Sequence, residues 1–242
     1  MLAIFRKEIN SFFSSPVAYI IMAVFLTAIG MMLWVFPDTS LLNEGYADLG
    51  TFFNLAPYVM LFLVPAVTMR SLAEERRSGT LEWLLTKPLS RRDLLLGKFL
   101  ANWALVAALL LPTLIYYYSV YVLGSPVGNV DSAAVFGSYL GLLLLGGVFA
   151  AVGLFASSLN ENQVVAFVLG VFLLFLLYIG LGALARLESL GGMAEPLSRL
   201  ALDEQYRALG RGLVDSRNLV YLGSVMVLFL ILTEWQLSTR IN

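Results

Sequence analysis

"SLAEERRSGTLEWLLTKPLSRRDLLLGK", residues 71–98, is the most highly charged stretch of a 242-residue chain that is otherwise 60% hydrophobic. It lies between two long apolar runs. Only 13% of the residues are charged, so the chain carries more apolar surface than a soluble domain of this size buries, and it belongs in a bilayer. A net charge of −1 offers no basic tract for nucleic acid. With no Cys and no His, the chain lacks the usual soft metal ligands, thiol nucleophiles and neutral-pH proton shuttles. Metal, redox and triad chemistry therefore fit poorly, and no cofactor is expected on this chain. The sequence has no Gly-x4-Gly-Lys-Ser/Thr loop, so any ATP that drives it must be bound by another chain.

A helix needs about 20 apolar residues to cross the roughly 30 Å hydrocarbon core. Segments near Val17–Phe36, Phe52–Met69, Leu94–Leu123, Ala133–Ser157, Gln163–Ala185 and Leu219–Trp235 meet that length or come close. The fold class predicted is thus all-α: one polytopic membrane domain, 1–242, with six transmembrane helices. The first run is too long for a signal-peptide core and has no convincing cleavage site, so it reads as an uncleaved span.

Orientation follows from where Lys and Arg fall, since short cytoplasmic loops are enriched in them. Residues 37–51 hold Asp38, Glu44 and Asp48 but no basic residue, whereas residues 70–98 hold seven. That contrast places the charged stretch and both termini in the cytoplasm. The 124–132 loop, again without Lys or Arg, fits the outside. The turn at 158–162 has no basic residue and the 186–218 loop has five Arg, which fit less well, but those five are matched by Glu188, Glu195, Asp203, Glu204 and Asp215.

Smaller features add local detail. In residues 1–15, Leu2, Phe5, Ile9, Phe12 and Phe13 share one helical face, which predicts an interfacial helix on the cytoplasmic surface. Ser15 then caps the first span, with Pro16 as its first residue. Pro112 should kink the third span, and Tyr116, Tyr117, Tyr118 and Tyr121 beyond it suit an aromatic belt at the outer interface. "GLLLLGGVFAAVG", 141–153, is rich in the small residues that let membrane helices approach closely, here or against a second copy or partner. The 186–218 loop starts a helix near Pro196 and carries Leu197, Leu200, Ala201, Ala208 and Leu209 at helical spacing, which predicts an amphipathic helix serving as a lid, a gate or a partner platform.

Within the opening stretch, Leu72 to Arg77 continue the second span, and Gly79 supplies the break a sharp turn needs. Thr80 is placed to cap a short helix, with Glu82 in its first turn at the positive end of the dipole. Leu81, Leu84 and Leu85 lie on one side with Trp83 displaced from them, and Lys87-Pro88 closes the helix. Ser90 and Asp93 then form a capping box, flanked by Leu89 and Leu94 as a hydrophobic staple. The bland alternative is a solvated loop whose Arg residues only enforce topology. It leaves the apolar residues without a partner other than lipid headgroups, whereas a groove on a cytosolic protein would receive them.

The order Ser71, Glu75, Gly79, Thr80, Glu82, Leu84, Leu85, Thr86, Pro88, Ser90 and Leu94 to Lys98 resembles the coupling segment of type 2 ABC exporter permeases. More narrowly, "FRKEINSFFSSPVAYI" (5–20), "LAPYVMLFLVPAVTMRS" (55–71), "FASSLNENQVVAF" (155–167) and "RGLVDSRNLVY" (211–221) are similar to the gliding-motility permease subunits of the GldF type. Permeases for copper-enzyme maturation look similar. The resemblance implies a multi-pass subunit of the bacterial cytoplasmic membrane. Its expected partners are a cytosolic ABC ATPase dimer holding ATP and Mg, and a second permease subunit, either a different chain with a large periplasmic region or another copy. The residues expected to couple the two are Glu75, Gly79, Thr80, Glu82, Trp83, Leu84 and Pro88. A second cytoplasmic contact is expected at Asn160, Glu161, Asn162 and Gln163, where capping of the fifth span by Asn162 is the structural alternative. The residues do not identify a cargo.

Two other classes are open to such a chain. An intramembrane enzyme needs polar groups that converge at membrane depth, whereas Asn102, Thr113, Ser119 and Glu234 are scattered along the spans. A force-transmitting or scaffold subunit that moves no substrate is compatible with every feature above.

Overall fold

The computed structural model describes residues 1–43, 45–80, 90–187, 194–211 and 215–239. These form an all-helical bundle with six helices long and apolar enough to cross a membrane. In chain order the elements are α1 (Leu2–Ser14), α2 (Pro16–Trp34), α3 (Gly50–Thr68), α4 (Arg70–Arg77), α5 (Arg91–Leu110), α6 (Leu114–Leu123), α7 (Ser132–Leu159), α8 (Gln163–Phe175), α9 (Leu181–Ala185), α10 (Ala194–Leu200), α11 (Leu202–Leu209) and α12 (Ser216–Thr239). A 3₁₀ turn at Leu111–Thr113, where Pro112 cannot donate, joins α5 to α6. A π-helical turn at Leu176–Gly180 joins α8 to α9.

The bundle is organised around α7. Its most apolar stretch is 78% buried, against 22% for α2, α12 and the α8–α9 span. Lipid gives helices little hydrophobic reason to associate, so close packing must do it, and small residues allow that. A side chain at Gly146 would overlap Val106 and Met60, and one at Gly153 would overlap Thr68. The small-residue run of 141–153 is thus filled from within the chain. The backbone approach also admits polar contacts: the Trp103 indole donates to the Leu143 carbonyl at 2.8 Å.

The helix ends divide the molecule. α1, α4, the start of α5, the end of α7 and the end of α12 gather at one end, tied by Lys98–Glu75 and Arg92–Glu234 ion pairs. At the far end lie the 35–49 and 124–131 loops with α10 and α11. Ser15 accepts from Val17 N–H to start α2, and Ser90 accepts from Asp93 N–H to start α5. The Asp93 carboxylate takes the Ser90 hydroxyl rather than its N–H. The staple partner Leu89 lies outside the described residues.

Two expectations change in detail. On α1 the inward residues are Ile4, Phe5, Glu8, Ile9 and Phe12, while Leu2 and Phe13 are exposed. The stripe is rotated because Ile4 packs against Gly97, where no side chain intervenes. Beyond the fifth span, the single amphipathic helix is in fact two, broken at Ala201, whose backbone is extended. Ala201, Leu202, Tyr206 and Leu209 are the buried residues there, whereas Leu200 is exposed. Proline explains the seat of α11. Pro57, inside α3, has no N–H for the Phe53 carbonyl one turn earlier. The buried Tyr206 hydroxyl supplies that hydrogen bond at 2.8 Å, and burial raises its pKa above the ordinary phenol value, so it keeps its proton.

Candidate coupling site

Span α3 does not stop at the membrane edge; it breaks at Met69 and continues as α4. The joint is stitched by Ser157 of α7. Its hydroxyl accepts from the N–H groups of Leu72 and Ala73, both at 3.0 Å, and donates to the Met69 carbonyl at 2.8 Å. One side chain therefore replaces helical hydrogen bonds that the break disturbs. Gly153, one turn or so earlier on α7, leaves the room that Thr68 occupies.

Beside this joint lies a cluster of buried charge. Lys98, seven residues into α5, has a side chain only 1% exposed, against 13% for Glu8 and 12% for Glu75. Its ammonium contacts Glu8 Oε1 at 2.9 Å, Glu75 Oε1 at 2.8 Å and the Ser71 carbonyl at 2.7 Å. An ammonium has three N–H donors, and three acceptors meet them. Lys7 reaches the same Glu75 Oε1 at 3.0 Å and Glu8 at 3.3 Å. Half-burial works against the Lys7 ammonium, but the carboxylates of Glu75 and Glu8 outweigh it and raise its pKa above 10.5. Asn102 donates to the Ser71 hydroxyl at 3.1 Å and so extends the network deeper into α5. Glu75 Oε2 is buried without a hydrogen-bond partner among the described residues.

Local sequence explains the convergence. Ser71 and Glu75 are one turn apart on α4, as are Ile4 and Glu8 on α1, so each pair projects from one face. Gly97, next to Lys98, lets α1 approach α5 closely enough for Glu8 to reach the ammonium. A buried lysine is costly, and such a cluster endures only when every charge is matched.

The expected coupling residues divide accordingly. Glu75 belongs to the charge cluster, facing α1 and α5. Gly79 ends α4 with φ +68°, a conformation in which a side chain is strained. The Thr80 hydroxyl donates back to the Glu75 carbonyl at 3.3 Å and lies 2.8 Å from the Ser78 hydroxyl. Glu82, Trp83, Leu84 and Pro88 lie outside the described residues. At the other expected contact, Asn160 accepts from Asn162 N–H at 2.9 Å, and Asn162 caps α8 by accepting from Val164 N–H at 2.9 Å. Gln163 is the first residue of α8, and Glu161 is exposed. The turn nevertheless abuts α4, because Arg76 donates to the Ser158 carbonyl.

Lys98, Glu8, Lys7, Asn102 and Ser157 were not singled out by the sequence reading as members of one site. The available signals were a lysine set a full turn inside an apolar run and a glutamate on the inward stripe of α1. The polar residues weighed for an intramembrane enzyme do not converge. Asn102 joins the cluster, Thr113 lies with Tyr139, Ser119 bonds back to Ile115, and Glu234 pairs with Arg92. Among the described residues no three Asp, Glu, His or Cys side chains gather to hold a metal ion. What the arrangement does is tie α4 to α1, α5 and α7 through ion pairs and hydrogen bonds.

Six such spans in one bundle are the architecture of a multi-pass membrane protein. Residues 38–201 match the family described as ABC-2 family transporter protein, and the chain belongs to that family. A curated relative described as "Probable ABC transporter permease protein NosY", from Pseudomonas aeruginosa, is 33% identical over 157 residues, which cover 62% of this chain and 56% of the relative. The chain thus spans little more than half the length of the curated relative it matches.

Proposed function

We propose that this chain is the membrane subunit of an ATP-driven transporter and that it receives motion from a separate cytosolic ATPase through the segment after Gly79. On this reading the α1 end faces the cytoplasm, in keeping with the seven basic residues between 70 and 98. The membrane is the bacterial inner membrane, and ATP and Mg bind to the ATPase. The observation that carries the proposal is the continuity of α4. This helix leads from the turn at Gly79 to the joint with α3 at Met69 and is fixed on three sides, by Lys7 of α1, Lys98 of α5 and Ser157 of α7. A displacement applied beyond Gly79 would move these elements together.

The motifs at 5–20, 55–71, 155–167 and 211–221 favour a permease of the gliding-motility type, paired with a different chain that has a large periplasmic region. The 33% identity to a NosY permease favours a second reading, a transporter of that kind. Identification of the subunits that co-purify with the native complex separates the two, and an assembly that stimulates no transport would point to a scaffold or force-transmitting role.

Docking itself is tested at Trp83 and Glu82. As an anchor in an ATPase groove, Trp83 changed to Ala should cost the assembly about 2 kcal/mol, or roughly a thirtyfold weaker association. Glu82→Lys should also weaken it, by placing a positive charge at the positive end of a helix. Membrane level and topology should stay unchanged. Wild-type pull-down of the ATPase by both variants would show that the segment is a topogenic loop and not a coupling element.

A further inference from the structure

Five Arg fall in residues 186–218, at the end of the bundle away from Lys98. Two of them have partners one turn away: Arg199 pairs with Glu195, and Arg207 with Asp203. Arg211 has no ion pair among the described residues. Together with Arg207 it lines a cavity of about 250 Å³ between the starts of α3 and α7 and the end of α11. A single water needs only roughly 10–15 Å³, so there is room for a larger guest. Both guanidiniums are within its reach, since Arg211 is exposed and the Arg207 side chain is 53% exposed.

The rest of the wall is rich in donors. Arg207 gives its Nε–H to Asp203, which leaves most of the five N–H donors of its guanidinium. Ser138 of α7 is only 5% exposed, and its hydroxyl has no hydrogen-bond partner among the described residues. That hydroxyl is not sealed off. The fully enclosed side-chain atom that lacks a partner among those residues is Glu75 Oε2, so the Ser138 oxygen keeps open surface in the cavity it lines. Gly210 preserves the opening, because a Cβ there would come within 2.9 Å of Ser138 Oγ. α3 begins on the same wall at Gly50 without a side-chain cap, and so adds the positive end of a 19-residue helix. Among the described residues the one carboxylate lining the cavity is Asp48, which already accepts from Leu49 N–H at 2.7 Å.

We propose that this cavity binds the phosphate group of a phosphate ester, held by Arg207, Arg211, Ser138 and Asn54. These donors come from α11 and the turn after it, from α7 and from α3. Phosphate presents oxygens in several directions and can meet all of them, whereas a carboxylate has two oxygens in one plane. A lipid headgroup at the membrane edge and a free phosphate ester share that chemistry. The inference rests on the α11 end alone, and it does not depend on how an ATPase docks or on which side of the membrane this end faces.

Glycerol 3-phosphate serves as the probe. Titrated into the full chain in lipid-free dodecyl maltoside, it should raise the melting temperature saturably, whereas potassium chloride at matched ionic strength should not. Arg211→Gln should weaken the apparent affinity by roughly tenfold, the scale of one charge-assisted hydrogen bond. Ser138→Ala and Gly210→Ala should each weaken it several-fold, the second by crowding the Ser138 hydroxyl. Asp48→Asn should tighten binding several-fold, because it removes the opposing charge. The same titration in phosphatidylglycerol nanodiscs separates the sources: an undiminished response assigns a free ester, and its loss in the unaltered chain assigns a lipid headgroup that already fills the cavity. The absence of a saturable response in lipid-free detergent, or a response that Arg211→Gln and Ser138→Ala leave unchanged, would overturn the proposal. Weaker binding by Asp48→Asn would overturn the assignment of a simple anion and point to a zwitterion held at both ends.

Discussion

The two ends of the bundle are closed by different chemistry. At the α1 end, Lys98 sits between Glu8 and Glu75, a serine hydroxyl bridges a broken helix, and Lys7 leans on the same carboxylates. At the far end, α11 presses Leu202, Tyr206 and Leu209 into the bundle, and the contact to α3 is one hydroxyl on one carbonyl. A matched set of buried charges tolerates little displacement, because moving any member leaves another unpaired in a medium that solvates it poorly. A largely apolar seat loses its contacts gradually. The α1 end is thus held by matched charge and the far end chiefly by apolar burial.

The sharpest way to break this comparison is to remove the central cation. Lys98→Met leaves Glu8 and Glu75 buried against each other and should destabilise the fold by about 3–5 kcal/mol. Adding Glu8→Gln should recover part of that loss, because Lys7 then serves the remaining carboxylate. Denaturant unfolding in detergent measures both, and a double variant no more stable than the single one would show that the cluster is not held by charge matching. At the far end the expected effect is smaller. Tyr206→Phe strands the Phe53 carbonyl and should cost about 1–3 kcal/mol. Pro57→Ala, which restores a helical N–H to that carbonyl, should suppress most of the loss; without such rescue, the hydroxyl acts through something other than the proline gap.

The smallest effect belongs to Lys7, whose side chain is 56% exposed. Its folded pKa is raised above 10.5, so its contribution is fully present below that value and is lost as pH rises through the folded pKa. Wild type and Lys7→Met should therefore differ by a small constant amount in melting temperature from pH 6 to 9, and the gap should close at still higher pH. The far end, with Tyr206 protonated throughout that range, should show no matching pH dependence.

The positions of the spans were legible because length and apolar composition decide them. Gln163–Ala185 agrees to the residue with the α8–α9 span, and Val17–Phe36 differs from α2 by one residue at the start and two at the end. The second span runs on to Arg77 because charged residues extend a helix beyond the bilayer without showing in an apolar count. The site was harder to read. Lys98 counts as one of seven basic residues that set orientation, and its place a full turn inside an apolar run is a weak sign of enclosure by three helices. Its burial depends on Glu8, 90 residues away in sequence, and on Gly97 letting α1 approach. Tyr206 was missed for a similar reason: the helical stripe in the 186–218 loop was traced through aliphatic residues, and the vacancy the phenol fills is created by a proline in another span.

The central position of α7 also bears on how the chain is made. Its Gly147 is covered by Met226, and Phe155 meets Phe229 with ring centres 5.6 Å apart. Both partners come from α12, which leaves the ribosome roughly eighty residues after the glycines it covers, a long loop to close. Until then the face of α7 around Gly147 and Phe155 lacks the partners that α12 brings. A chain that stops before Ser216 would therefore leave one face of the most buried span without its cover.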